Sequence, residues 1–504
     1  MARHLLSKLD RGGLAVALLA GAAAGLGQIP WSLWPISLLG FAALLWNAAR
    51  APTAKAAALR AWLSGSAYFL LTLNWITEPF QVEAERDAWM APFALFFMAT
   101  GLGLFWAAAG ALSAPLRRFM PAAGSMALML AGLEALRGVI FTGFPWALPG
   151  HIWIGFAPAQ LASLAGAGGL TLLTLTLAAL PVLWRARGLA VALMLLAMVW
   201  GFGHWRLSDP LPPAREAVIR LVQPDADQAL KWHPDYARMF FERHLDLSAA
   251  APGDAGVPDL IVWPETSVPV LLNDPGRALD VILEATGGIP VALGIQREVG
   301  VRFYNSLALL GPKDDGTAEV RAVYDKHQLV PFGEYIPGGD LVADWLGVFS
   351  FSPAAGYGYS AGPAPELISM GGALGTFQPL ICYEAVFPWF QRATDRPEWL
   401  LQITNDAWFG VASGPFQHLG LARLRAVESG LPMMRVANTG VSAVIGPRGE
   451  ILAELGMKQQ GIIDHALPAA LPPTLYSRIG PAAPVLLWFF AAMLLIFTRR
   501  AFNH

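Results

Sequence analysis

Three apolar runs in this sequence end on a side chain equipped for covalent chemistry. Phe377-Gln378-Pro379-Leu380-Ile381 leads directly into Cys382, followed by Tyr383, Glu384 and, a few residues on, Pro388. Cys382 is the only cysteine in 504 residues, so it makes no internal disulfide. In an oxidising compartment a lone thiol is either simply buried or kept for its reactivity. A solitary cysteine is more often an inert buried one, but a strand running straight into a polar turn favours a nucleophile held at a corner beside backbone N–H groups. Leu260-Ile261-Val262-Trp263-Pro264 delivers Glu265 just beyond a strand, where a partly desolvated carboxylate can take a proton from a thiol. Val323-Tyr324-Asp325 delivers Lys326 in the same way. A thiol, a carboxylate base and an ammonium that stabilises thiolate and oxyanion complete an acyl-transfer site. Taken singly, Glu265 and Lys326 also read as partners in a surface ion pair, which spacing alone does not exclude.

These residues lie in a stretch, 211–478, of short apolar runs broken by Pro, Gly and Asp. Strands are predicted at 218–223, 260–263, 291–295, 306–310, 322–324, 375–381, 400–404 and 433–445, the last long enough to contain a turn. Helices are predicted near 236–247, 277–284 and 416–429. Strands alternating with helices indicate a layered α/β domain with functional groups at strand ends. The composition shows that this is only part of the molecule. The chain is 55% hydrophobic and 14% charged, against about 25% charged in ordinary soluble domains. Of 34 Lys and Arg and 36 Asp and Glu, residues 211–478 hold 19 and 29, a net of −10, while the remainder carries a net of +8. The near-neutral total averages two unlike regions and does not indicate a nucleic-acid partner.

The sparsely charged remainder reads as membrane spans. Segments at 13–29, 32–49, 61–79, 89–114, 121–140, 157–184, 188–205 and 482–498 approach the roughly 20 apolar residues that a crossing helix needs. That makes eight spans: seven in a membrane domain at 1–210, then the 211–478 domain, then the eighth in 479–504. Lys and Arg flanking spans stay on the cytoplasmic side. With the N-terminus inside, Arg3, Lys8, Arg11, Arg50, Lys55, Arg60, Arg117, Arg118, Arg185, Arg187, Arg499 and Arg500 all fall inside, and Arg86 alone stands clearly outside. Both termini are therefore expected in the cytoplasm and the α/β domain outside. The first apolar stretch, although preceded by basic residues like a signal peptide, is expected to be a retained anchor because further spans follow at once. Glu134 and Arg137 share one face of the fifth span, reading first as a structural ion pair and second as a lipid head-group contact.

Together, Trp263-Pro264-Glu265, the run from Tyr324-Asp325-Lys326-His327 through Phe332-Gly333-Glu334-Tyr335, and Cys382-Tyr383-Glu384 resemble the Glu, Lys and Cys motifs of the nitrilase (carbon-nitrogen hydrolase) superfamily. With the spans before and after, nearly the full length resembles the apolipoprotein N-acyltransferase family of the bacterial inner membrane. The likeness extends to Leu136-Arg137-Gly138 with Thr142-Gly143-Phe144-Pro145-Trp146, to Gln223-Pro224 with Lys231-Trp232, and to Asn405-Asp406-Ala407-Trp408-Phe409-Gly410.

The resemblance implies an αββα sandwich in the periplasm and a ping-pong reaction. Cys382 would attack the acyl ester of a phospholipid, typically the sn-1 chain of phosphatidylethanolamine, as Glu265 takes its proton. Lys326 and the Tyr383 N–H would stabilise the oxyanion. The resulting thioester would pass its acyl group to the α-amino group of a diacylglyceryl-cysteine on an apolipoprotein. Glu334 would orient Lys326 or assist the base, while Tyr383, Glu384 and Trp232 would shape the pocket; for Glu384 a purely structural hydrogen-bonding role is an equal reading. The Leu341–Tyr359 segment, with Trp345, Phe349 and Phe351, reads either as an apolar arm guiding lipid chains or as a loop packed over the domain core. No metal-binding spacing, phosphate-cradling loop or dinucleotide fingerprint accompanies the motifs, so neither cofactor nor metal is expected, and the enzyme is expected to act as a monomer. The alternatives are a membrane-tethered amidase whose thioester is resolved by water, and a transporter or lipid-binding protein with an inactive outer domain. Eight spans, more than tethering requires, favour transfer over the first; the intact Glu265, Lys326 and Cys382 set argues against the second.

Overall fold

The computed structural model of the chain describes residues 11–339 and 358–501. They form two compact units. One comprises the chain up to Pro210 together with Ala412–Leu424 and the stretch from Thr474; the other comprises Leu211–Val411 and Arg425–Pro473.

The first unit is helical. Its principal helices are Arg11–Gly25, Trp34–Ala49, Ala54–Thr72, Ala91–Leu116, Ala122–Arg137, Ala162–Ser208 and Ala482–Ala501. Local chemistry sets several starts: Thr53 caps Ala54–Thr72 by accepting the Ala56 N–H at 3.1 Å, and a proline sits in the first turn of both Trp34–Ala49 and Ala91–Leu116. Small residues let these helices approach closely, as is usual in lipid; a Cβ at Gly21 would lie 2.0 Å from the Ser64 carbonyl oxygen. Ala162–Ser208 leaves helical geometry at Trp184 and at Arg185, where φ is +51°, between the two spans predicted at 157–184 and 188–205. Among the described residues, three helical stretches are long and apolar enough to cross a membrane: Ala84–Leu116, Ala157–Ser208 and Ala482–Arg499. Arg11–Gly25 and Trp34–Ala49 are apolar but shorter.

Glu134 and Arg137 form a fully buried ion pair, with Arg137 Nη2 2.6 Å from Glu134 Oε2. Trp106 Nε1 donates to Glu134 Oε1 at 2.8 Å. Arg137 also donates to the carbonyl oxygens of Phe144 at 2.5 Å and Trp146 at 3.0 Å. With these partners the pair ties the helix Ala122–Arg137 to the chain that follows it, which is the structural reading of this motif.

The second unit holds two six-stranded sheets. The first contains β1 (Val218–Gln223), β2 (Leu260–Val262), β3 (Val291–Val299), β4 (Arg302–Pro312) and β5 (Ala318–Asp325), with β12 (Gly461–Ala466) beside β1. The second contains β6 (Ile368–Gly371), β7 (Gly375–Ile381), β8 (Trp399–Thr404), β9 (Met433–Ala437), β10 (Ser442–Ile445) and β11 (Ile451–Leu455), in the order β11-β10-β9-β8-β7-β6. β1, β2 and β3 run parallel, as do β7, β8 and β9. Such central strands are buried on both faces and read as largely apolar runs. The first sheet's core includes Val222, Ile261, Trp263, Leu293 and Ile295, and Trp263 Nε1 donates to Ser248 Oγ at 2.8 Å. Gln223 Oε1 accepts the Ser442 hydroxyl at 2.5 Å, joining the two sheets. The strands predicted from sequence are all present. β6, β11 and β12 were not anticipated: β6 and β11 are sheet edges and β12 an edge neighbour to β1, short segments whose pairing partners decide their conformation.

Candidate active site

β2 lies between two parallel neighbours and β7 runs parallel to β8, and Glu265 and Cys382 follow their carboxyl ends, where open parallel sheets place ligands. Lys326 follows β5. The turn after β2 passes close over β3: a Cβ at Gly294 would stand 2.5 Å from the Pro264 oxygen and 2.6 Å from the Glu265 Cα. Only glycine fits there, so Gly294 lets the carboxylate turn settle onto the sheet.

Glu265, Lys326 and Cys382 are all buried. Lys326 Nζ is 3.2 Å from Glu265 Oε1 and 2.8 Å from Glu334 Oε1. Glu265 Oε1 also accepts from Asn305 Nδ2 at 2.7 Å, and Oε2 from the Asn405 N–H at 2.9 Å. Glu334 is anchored in turn by the Val330 N–H at 2.9 Å and by Asn305 Nδ2 at 3.3 Å. Burial disfavours the Lys326 ammonium, yet the charges of Glu265 and Glu334 hold its pKa well above the ordinary lysine value. Cys382 sits at φ +50°, a left-handed conformation costly for a non-glycine residue and characteristic of functional corners. Burial first, then the charges of Glu265 and Asp406, push its thiol above the ordinary range, against the opposing pull of Lys326 and a Thr404 hydrogen bond. The cluster therefore holds a neutral thiol beside a paired base and cation, able to form thiolate only as its proton leaves.

Glu384 is wholly buried. Its Oε1 accepts the Tyr324 hydroxyl at 2.7 Å, the His327 N–H at 2.7 Å and the Gln328 N–H at 3.1 Å; its Oε2 accepts the Ile381 N–H at 2.7 Å. One carboxyl group thus ties the backbone flanking Lys326 to the strand end preceding Cys382. Burial raises its pKa to about 7, with hydrogen bonds from Ile381, Tyr324 and Gln328 opposing. Glu384→Gln would turn an NH2 group toward one of these donors. The expected result is a stability loss of about 1–3 kcal/mol, the usual cost of a buried unsatisfied group, read by chemical denaturation, with a parallel loss of activity.

Trp232 reaches this region through its neighbour. Lys231 Nζ donates to the Glu265 carbonyl oxygen and to Thr266 Oγ1, each at 3.2 Å, and lies 5.4 Å from the centre of the Trp232 ring. Burial lowers the Lys231 pKa to about 8, opposed by the Glu265 charge. Trp345, Phe349 and Phe351 lie outside the described residues. At the end of that segment Tyr359 donates its N–H to the Glu334 carbonyl oxygen at 2.7 Å. Asn305 was missed from sequence although a detectable signal existed: Asn305 stands next to the apolar run of β4, and an uncharged amide inside a buried strand needs partners. Gln402, mid-strand in β8, carries the same signal, and Arg435, a cation mid-strand in β9, carries a stronger one.

Residues 20–180 match the family model of the apolipoprotein N-acyltransferase N-terminal domain, and residues 221–471 match that of carbon-nitrogen hydrolase. An apolipoprotein N-acyltransferase of Caulobacter vibrioides is 40% identical over 96% of this chain and 93% of its own length. Proteins of the same name from Bradyrhizobium diazoefficiens and Rhodopseudomonas palustris are 38% and 36% identical, covering 97% and 96% of this chain and 95% of each relative. Likeness at this identity, running through both the helical and the sheet-bearing parts, makes the chain a member of the apolipoprotein N-acyltransferase family.

Proposed function

We propose that this protein is the acyltransferase that completes lipoprotein maturation, moving an acyl chain from a phospholipid to the α-amino group of an apolipoprotein's diacylglyceryl-cysteine. The observation that carries the reading is the convergence of Glu265, Lys326 and Cys382, from three separate strand ends, in one buried and electrostatically coupled cluster. Full-length likeness to named N-acyltransferases supplies the substrate class.

Cys382 Sγ attacks the ester carbonyl carbon as Glu265 takes the thiol proton. Lys326 and the Tyr383 N–H stabilise the tetrahedral oxyanion. Its collapse breaks the ester C–O bond, Glu265 returns the proton to the departing oxygen, and a lysophospholipid leaves. The acceptor's amine then attacks the thioester, Glu265 accepts a proton from nitrogen, the C–S bond breaks to release the N-acylated product, and Glu265 passes that proton to the departing sulfur, restoring the thiol and the free carboxylate. Sn-1 of phosphatidylethanolamine is the proposed donor chain. Glu334 holds Lys326 in place, Glu384 aligns the lysine and cysteine turns, and Trp232, Trp345, Phe349 and Phe351 contact substrate. No cofactor enters the scheme.

Both substrates carry acyl chains that each gain about 0.8 kcal/mol per buried CH₂, so neither leaves the bilayer readily and the enzyme must work at the membrane. The proposed arrangement is eight spans with both termini cytoplasmic: a membrane domain at 1–210, a periplasmic catalytic domain at 211–478 and a final span in 479–504. Support comes from the strong inside bias of Lys and Arg, the apolar helices, and the outward-facing Leu486, Phe490, Leu494 and Phe497 of the last one. The protein is proposed to act as a monomer.

The competing reading, an amidase that resolves the thioester with water, is not favoured by the relatives. Purified protein given phosphatidylethanolamine and a diacylglyceryl-cysteine peptide is expected to yield the N-acylated peptide by mass spectrometry. Free fatty acid with unmodified peptide would instead establish hydrolysis.

A further inference from the structure

Beneath Cys382 lies a buried polar network that the reaction scheme leaves unused. β8 is paired with β7 on one side and β9 on the other, and in this register Gln402 faces Leu380 and Arg435. Gln402, Thr404, Asp406 and Arg435 are all buried. Arg435 Nη1 donates to Gln402 Oε1 at 2.6 Å, its Nη2 to Asp406 Oδ2 at 2.5 Å, and its Nε to the Val441 carbonyl oxygen at 3.2 Å. Thr404 Oγ1 donates to Asp406 Oδ1 at 2.9 Å. Gln402 Nε2 donates to the Cys382 carbonyl oxygen at 3.2 Å.

Two elementary constraints turn this network into a directional device. A guanidinium only donates, so Arg435 draws the amide oxygen of Gln402 toward itself and turns the NH2 group toward Cys382. The peptide joining Cys382 to Tyr383 is planar and trans, so its C=O and N–H point in opposite directions. Gripping the Cys382 carbonyl therefore also sets the direction of the Tyr383 N–H. The +50° φ of Cys382 is costly for a residue other than glycine, and the hydrogen bond from Gln402 helps to hold it. Asp406 neutralises the buried guanidinium, which makes the network affordable in a site far from water.

We infer that Gln402, oriented by Arg435, is a positioning residue that aims the Tyr383 N–H at the oxyanion formed on Cys382. The inference rests on the acyl-transfer reading and assigns to it two residues outside the Glu265, Lys326 and Cys382 set. It also accounts for Asp406 within the Asn405–Gly410 motif: Asp406 serves as counter-charge to the residue that orients Gln402.

The test separates oxyanion support from mere folding. Gln402→Glu keeps an acceptor for Arg435 but loses the donor to Cys382, and Gln402→Met removes both. Full-length protein in detergent micelles is given phosphatidylethanolamine with a labelled sn-1 chain, and single-turnover formation of the hydroxylamine-labile adduct is followed. In parallel, alkylation of Cys382 by iodoacetamide is timed, a displacement that builds no oxyanion. Acylation is expected to slow on the order of 10- to 100-fold, less than the roughly 100- to 1,000-fold cost of removing an oxyanion donor outright, because the Tyr383 N–H is misaimed and not lost. KM for phospholipid and the alkylation rate should each stay within about threefold of wild type. Arg435→Lys, which keeps the charge facing Asp406 but not the two-pronged grip, should show the same split. Unchanged acylation in Gln402→Met would overturn the inference, as would acylation and alkylation falling together. If Gln402→Glu does not fold, Gln402→Met carries the test alone. An adduct that persists in Cys382→Ala would sink the acyl-transfer reading itself, so the two failures are distinguishable.

Discussion

Cys382→Ala is expected to abolish the acyl-enzyme and to cut transfer by at least about four orders of magnitude, the scale on which removing a covalent nucleophile acts. After incubation with phospholipid, the wild-type peptide containing Cys382 should gain one acyl mass that hydroxylamine removes, and the variant should gain none. Transfer by protein whose Cys382 remains unmodified would refute the thioester route. The same thiol carries a pH signature. Burial and the Glu265 and Asp406 charges raise its pKa above the ordinary value, so at neutral pH the resting residue is a thiol, and alkylation proceeds through the small fraction that is deprotonated to thiolate. Iodoacetamide should therefore alkylate the folded protein more slowly than the unfolded chain at pH 7. The folded protein's rate should keep rising with pH beyond the ordinary thiol range. A folded-state midpoint at or below that range would show that Lys326 outweighs burial, contrary to the electrostatics of the cluster.

Lys326→Met should be nearly as damaging, and for two reasons. It removes the cation proposed for the oxyanion, with an expected loss of at least about three orders of magnitude in turnover. It also leaves the buried Glu265 and the partly buried Glu334 with no ammonium between them, where both now contact Nζ. Removing one partner of a buried ion pair costs about 3–5 kcal/mol because the remaining charge stays uncompensated. Denaturant unfolding should register that loss. Lys326→Met/Glu334→Gln, with one carboxylate fewer, should recover part of the stability and none of the turnover. Recovery of turnover in the double variant would show that Lys326 acts only to neutralise its neighbours.

Much of the layered domain was legible because its central strands are parallel and buried on both faces, so β1, β2, β7 and β8 stand out as mostly apolar runs with few polar residues in them. Their ends pointed to Glu265 and Cys382 for the same reason. The strands that escaped, β6, β11 and β12, owe their conformation to partners distant in sequence. β12 depends on β1, where Arg220 Nε bonds Asp464 Oδ1 at 2.7 Å, a pairing 244 residues apart that no local pattern announces.

The division of the candidate site follows the same physics. Residue type and strand-end position, both local properties, are enough to nominate Glu265, Lys326 and Cys382, and charge asymmetry is enough to separate an apolar basic region from an acidic one. What a linear reading leaves open is which polar side chains meet. Residue type alone leaves Glu384 an even choice between a catalytic group and a brace; the fold adds its four donors, on both the lysine and cysteine turns, which are the contacts a brace needs. Asn305, Gln402 and Arg435 acquire meaning only from sheet register and from the burial that obliges each N–H and oxygen to find a partner. Hydrogen-bond satisfaction in a dry interior is a property of the folded whole, and only the tertiary structure could decide it.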